Sequence, residues 1–213
     1  PSNMNFRLVT LPSLYKRQPI YQIIRLFLGG YSLNRCRLVC IRCSRESAPE
    51  VGKQLCSFCG GVLTFSYDYD EVKGEVERRG FKRHFSGVWR YCDLLPISDR
   101  GSWISLGEGG TFLHRCERLA EELRVKRLFI KNETTNPTGA FVDRGVAVAV
   151  SKIRESGFKS VCCGTTGNLG ASLAAYAAKA GLECVIFAPG NVDLGKLFQM
   201  IAYGARVEPA KDF

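Results

Sequence analysis

The chain has 213 residues, 46% hydrophobic and 23% charged, a balance that supports one ordinary core plus a small module and excludes a disordered chain. Its net charge of +10 is lopsided: residues 1–92 hold 15 of the 30 Lys+Arg but 7 of the 20 Asp+Glu, so +8 of the charge lies there. That stretch has neither a recognition helix nor aromatics interleaved with basic residues, and reads as solvated surface rather than a nucleic-acid site.

Residues 1–35 hold the longest apolar run, around 20–28, broken by Gln22 and Arg25 and too short for the roughly twenty residues that span a bilayer. Pro19 and Gly29 frame one short helix there, and Gly29-Gly30-Tyr31 makes a poor cleavage site for a leader. Residues 36–66 form a cysteine module ending in the alternating run GVLTFSYDYD, which predicts a strand. Residues 67–104 are charged and mixed, a linker into the main body.

From Ser105 onward apolar runs of strand length alternate with helical ones: KRLFIKNE, DRGVAVAVSKIRESG, SVCCG, GNLGASLAAYAAKAG, ECVIFAP, LGKLFQMIAYG and ARVEPA. The alternation predicts an α/β fold with a parallel sheet carrying helices on both faces. Gly157, Gly181 and Gly204 follow the three long helices where a left-handed residue commonly ends them. The chain stops at Phe213 just after a strand signal, so residues 105–213 are read as the N-terminal part of a larger domain.

The ten cysteines include Cys40-Ile-Arg-Cys43 and Cys56-Ser-Phe-Cys59, with residues 44–55 between the pairs. Each Cys-x-x-Cys turn can place two sulfurs on one ion, and a closed set of four leaves no open position, so Cys40, Cys43, Cys56 and Cys59 predict a structural zinc ribbon. A redox dithiol needs only one such pair, and chance pairing in a cysteine-rich chain is the bland alternative. Cysteine usage of this kind suits a reducing compartment, hence the cytoplasm.

Two segments carry chemistry. In NETTNPTGAFVDRG, Asn136 to Gly139 reads as a turn leading into a helix from Asp143, and in CCGTTGNLGAS, Gly164 to Asn168 lie between a buried strand and a helix N-terminus, where free amides receive anions. His84 and His114 stand alone and are given no role.

Taken together and in order, these segments resemble threonine synthases, a branch of the fold-type II enzymes that use pyridoxal 5'-phosphate (PLP). The likeness starts near Arg37, where RLVCIRCSRE resembles the branch with an N-terminal zinc ribbon. It continues through SGVWRYCDLLP, a tryptophan-containing segment that packs on the catalytic body, and SLGEGGTFLHRCERLAEEL, a glycine-rich loop at the active-site mouth with Phe112 where proline is usual. The resemblance implies PLP as cofactor, an amino-acid phosphate as substrate, and conversion of O-phosphohomoserine and water to threonine and phosphate. It assigns Thr165 and Thr166 to the substrate carboxylate and Asn168 to the PLP ring hydroxyl. The glycine-rich loop for the PLP phosphate falls outside the part of the family that this sequence resembles.

One position departs. The family's PLP lysine, which carries the cofactor as a Schiff base, is here Val142. Valine forms no imine and moves no protons, and lysine and valine codons differ at more than one nucleotide. Lys131 and Lys152 are not placed to replace it. The readings carried forward are a threonine synthase-like lyase without the family's turnover, a related β-family enzyme such as cysteate synthase, and an inactive homologue with a binding role. No membrane partner is expected, and homo-oligomerisation stays open.

Overall fold

The computed structural model describes residues 36–47, 53–79, 86–97 and 99–210. The helix expected before residue 35 and His84 lie outside the described residues. A small antiparallel sheet comes first, built from β1 (Cys36–Cys40), β2 (Glu46–Ser47) and β3 (Leu63–Tyr67) in the order β2-β1-β3. Pairing of β1 with β3 runs from Cys36↔Tyr67 to Cys40↔Leu63 and so delivers Cys40 to the end of the ladder. The predicted alternation over GVLTFSYDYD is realised as β3, after which the chain turns at Asp68 into helix α1 (Tyr69–Arg79).

The linker is therefore not featureless. Beyond α1 it holds a 3₁₀ segment, Gly87–Leu94, kinked at Tyr91. Buried Trp89 stacks on Trp103 with ring centroids 4.5 Å apart and planes 14° from parallel, and the Val88 N–H donates to Glu108 O at 3.3 Å. A Cβ on Gly87, whose φ is +61°, would stand 1.9 Å from that same carbonyl, so only glycine lets this segment close on the 105–110 loop. The tryptophan segment packs on the body as expected.

The run KRLFIKNE does not join the parallel sheet. It forms β5 (Phe129–Lys131), paired antiparallel with β4 (Leu113–Arg115) through the short helix α2 (Glu117–Glu122). Six helical residues rise only about 9 Å and end at Arg124 in the left-handed region, so the chain folds straight back rather than crossing over to a parallel position. The Cys116 N–H to Leu128 O and Asn132 N–H to Phe112 O bonds extend this ladder at both ends.

The parallel sheet contains β6 (Ser160–Gly164), β7 (Glu183–Pro189) and β8 (Arg206–Ala210), adjacent in sequence order. Helix α3 (Asp143–Glu155) precedes it, and α4 (Asn168–Ala180) and α5 (Leu194–Ala202) make the crossovers. Right-handed crossovers between neighbouring strands bring α4 and α5 to one face. There Val161, Cys163, Cys184 and Ile186 join Ala171, Leu173 and Ala174 in the core. The opposite face presents exposed Cys162 and half-buried Val185 and Phe187, and no helix among the described residues is assigned to it. Gly157, Gly181 and Gly204 terminate α3, α4 and α5 with φ of +78°, +70° and +82°, as the sequence predicts. No described helix is long and apolar enough to cross a membrane.

Helix α4 is buried without interruption from Gly170 to Ala177, which a helix of small residues permits. A Cβ on Gly170 would stand 2.6 Å from Thr165 Cγ2, 2.7 Å from Met200 Cε and 3.1 Å from Ile186 Cγ2. Gly170→Ala is accordingly expected to destabilise the protein by about 1–3 kcal/mol through overpacking, despite alanine's better helix propensity. Urea unfolding of the variant beside the parent protein measures this.

Candidate active site and metal centre

The two cysteine turns are built alike. The Ser44 N–H donates to Cys40 O and the Gly60 N–H to Cys56 O, both at 2.9 Å, and Ser44 and Gly60 share the left-handed backbone, at φ +55° and +68°. The sulfurs of Cys40, Cys43, Cys56 and Cys59 all lie within 4.8 Å of one another, with Cys40 to Cys59 at 3.4 Å and Cys43 to Cys56 at 3.8 Å. A tetrahedral Zn²⁺ with bonds of about 2.3 Å sets its sulfurs about 3.8 Å apart, so the donor set fits that ion. Gly61 makes room for it: a Cβ there would come within 2.8 Å of Cys40 Sγ and 2.7 Å of Arg42 Cβ. The sequence pairing named all four clustered cysteines, while the need for Gly61 appears only in three dimensions.

The turn before α3 is fixed by a buried carboxylate. Asp143 is fully buried, and its side chain accepts from the Thr138 N–H at 2.8 Å and the Thr138 hydroxyl at 2.6 Å. Val142 is the residue immediately before α3, in helical backbone (φ −60°, ψ −21°), and its carbonyl accepts from Val146 N–H. Its side chain, half-buried, offers nothing but methyl groups.

A second carboxylate ties the mouth loop to this turn, a link with no periodic signature in the residues. Arg144 grips Glu133 with two parallel bonds, Nε to Oε2 at 2.9 Å and Nη2 to Oε1 at 2.8 Å. The Thr111 hydroxyl and Asn136 Nδ2 also donate to the Glu133 carboxylate, and Asn136 Oδ1 accepts from Gly109 N–H at 2.9 Å. Arg144, then Thr111, hold the Glu133 carboxyl down at about 2. Glu108, deep in the same loop, accepts from the buried Tyr176 hydroxyl at 2.8 Å, and burial followed by this bond pushes the phenol up.

Loop 164–168 connects β6 to α4. Thr165 is buried, its N–H donating to Phe187 O and its hydroxyl accepting from Gly167 N–H at 3.1 Å, whereas Thr166 and Asn168 are exposed. The Thr166, Asn168 and Leu169 amides find no backbone acceptor among the described residues, as at any helix start. Of the three residues predicted for this loop, Thr165 shapes it and the other two face outward.

Lys131 and Lys152 are indeed committed elsewhere. Lys131 Nζ donates to Thr111 O, and Lys152, 2% exposed, pairs in the core with Glu155, which also accepts from the Asp99 N–H at 2.7 Å. Lys196, to which sequence reasoning assigned nothing, is the amine that meets both signature segments: its stem lies beside Gly167 and its Nζ donates to Thr138 O at 3.1 Å. Burial pushes the Cys163 and Cys184 thiols up to about 12, which makes them poor nucleophiles. His114 is exposed on β4 beside the Phe112 ring.

Residues 104–212 match the family of pyridoxal-phosphate dependent enzymes. The chain belongs to this family. It is similar to the threonine synthase of Methanocaldococcus jannaschii, 45% identical over 173 residues, which are 81% of this chain and 42% of that protein. The threonine synthase of Methanosarcina acetivorans is 43% identical over 171 residues, 80% of this chain and 41% of that protein. A match of 173 residues cannot fit within 104–213, so the likeness of this PLP-family chain to the first relative extends well N-terminal of residue 104. The chain spans about two-fifths of the length of these curated relatives, 42% and 41% respectively. Among solved structures, maize serine racemase aligns over 48% of this chain and 31% of its own, at 25% identity and a TM-score of 0.45.

The Glu133–Arg144 pair yields a pH signature. Because the Glu133 carboxyl titrates lower in the folded state, its contribution is complete above the ordinary carboxylate range and is lost as pH falls from about 4.5 towards about 2. Glu133→Gln should therefore be less stable than the parent by a constant amount above about pH 5, with the gap closing at lower pH. Denaturant midpoints of both proteins along a pH series test it.

Proposed function

We propose that this chain is the cofactor- and carboxylate-binding portion of a threonine synthase-like protein, and that it holds PLP without a covalent anchor at residue 142. One observation carries the reading: the turn at 136–139 and the loop at 164–168 are built at adjoining helix starts on one core, in a chain whose residue 142 is valine. The loop fits an anion, having amides without a backbone acceptor and an exposed hydroxyl, and position 142 does not fit an imine.

In this reading the Thr166 hydroxyl and the amides of Thr166, Asn168 and Leu169 hold the carboxylate of an amino-acid phosphate, with Thr165 acting through the shape it gives the loop. Asn168 donates to the ring hydroxyl of the cofactor. PLP, when bound, supplies an electron sink for carbanions at the α and β carbons of the substrate. What this chain lacks is the base: no amine stands at residue 142 to take a proton from either carbon. The catalytically inactive reading follows from that single side chain. The four-cysteine centre is proposed to hold one structural Zn²⁺ in a ribbon spanning residues 36–66, with residues 105–213 belonging to the catalytic body.

Two sets of outcomes are expected. The full protein should bind PLP reversibly, leave none fixed at residue 142 after borohydride, and form no threonine from O-phosphohomoserine. Val142→Lys should gain the absorbance of a cofactor–lysine linkage near neutral pH and measurable threonine formation, because a deleted base and a deleted anchor return together. Robust threonine synthesis by the unaltered protein would overturn the reading.

Metal analysis should find one zinc per chain, lost when both Cys56 and Cys59 are replaced by serine. Gly61→Ala should weaken zinc binding by about tenfold or more in chelator competition, since the added methyl displaces Cys40 Sγ. A parent protein purified reduced and free of zinc would reject the centre.

A further inference from the structure

Lys196 lies in the first turn of α5, far in sequence from both signature segments, and its side chain connects them. Its backbone is fixed by Asp193, whose carboxylate accepts from the Lys196 N–H at 3.0 Å as an N-cap. From there the stem passes over the loop: a Cβ added to Gly167 would lie 3.5 Å from Lys196 Cγ and 3.7 Å from its Cβ, ordinary van der Waals contact. The ammonium ends at Thr138 O, 3.1 Å away. Thr138 is 2% exposed and itself clamped by Asp143, so the acceptor is a rigid one.

We infer that Lys196 is a positioning residue: it fastens the 164–168 loop to the 136–139 turn, and the affinity of that loop for an anionic ligand depends on the fastening. Three considerations support this. One side chain runs from α5 past the loop to the turn before α3, so deleting its donor frees the loop side of that connection from a turn that stays fixed. An ammonium carries three donors and Thr138 O takes one, which leaves the charge available to an anion at the adjoining helix starts of α4 and α5. Finally, with valine at 142 this chain lacks the cation that its family places at the start of α3, and Lys131 and Lys152 are occupied by Thr111 O and Glu155. Lys196 thus lies beside one segment and bonds the other, and the inference rests on the proposed PLP and carboxylate site.

The test compares the parent full-length protein with Lys196→Met, which keeps most of the stem and deletes the donor, and Lys196→Arg, which keeps charge and reach. PLP is titrated by absorbance, and backbone amide exchange is followed in the unliganded proteins. The methionine variant should bind PLP about tenfold more weakly, the arginine variant should recover most of that loss, and the unliganded unfolding midpoint should move little in either. Amide exchange should quicken at 164–169 in the methionine variant only, while 136–140 stays protected by the Asp143 clamp.

Unchanged PLP affinity in Lys196→Met, faster exchange confined to α5, or borohydride fixation of the cofactor to Lys196 would each overturn the positioning role. Should the methionine variant not fold, Lys196→Gln carries the same comparison. A parent protein that binds no PLP would sink the proposed site while the exchange result still decides whether the tether exists.

Discussion

The structure depends on how closely α4 can be approached. From Gly170 to Ala177 this helix is enclosed by α3, α5 and the sheet at once, and the small residues among them, Gly170, Ala171, Ser172, Ala174, Ala175 and Ala177, let three neighbours reach it beside Leu173 and Tyr176. Its first turn receives loop 164–168, and the gap at Gly170 admits Thr165, Met200 and Ile186 together. The loop's shape is therefore set by packing behind it, which leaves Thr166, Asn168 and the free amides on the outer side. Tyr176, further along the same helix, reaches Glu108 and so ties the mouth loop to the core that carries the anion loop.

Polar contacts then take over where packing stops. Glu133, half-buried, gathers Arg144, Thr111 and Asn136, and Asn136 passes the connection to Gly109. Such a bidentate, multiply bonded carboxylate is geometrically demanding, so each member restricts the others. The 105–110 loop, the turn and the start of α3 are bonded as a set. This division of labour, apolar behind and polar in front, joins the 105–110 loop to the 136–139 turn and the start of α3.

Much of this was legible in the residues. The parallel strands and the three long helices follow from apolar runs punctuated by Gly157, Gly181 and Gly204, and the four-cysteine cluster from paired cysteine spacing. KRLFIKNE misled because its apolar content matches that of the parallel strands: what sets its direction is the length of α2 and the reversal at Arg124, and neither changes the pattern of the run itself. Glu133 with Arg144, and Lys196 with Thr138, were invisible for another reason. Contacts made by long side chains between different elements have no period, and only the packed backbone says which partners come within reach. Gly61 and Gly170 belong to the same class, being needed for space rather than for a turn that sequence could announce.

The clamp between Asp143 and Thr138 has a consequence for how this family can change. The backbone at residue 142 is held by the neighbours on either side of it, through bonds that involve no atom of its own side chain. The hydrogen bonds that shape this turn therefore make no use of the residue 142 side chain, so that position can change its chemistry while the turn keeps its form.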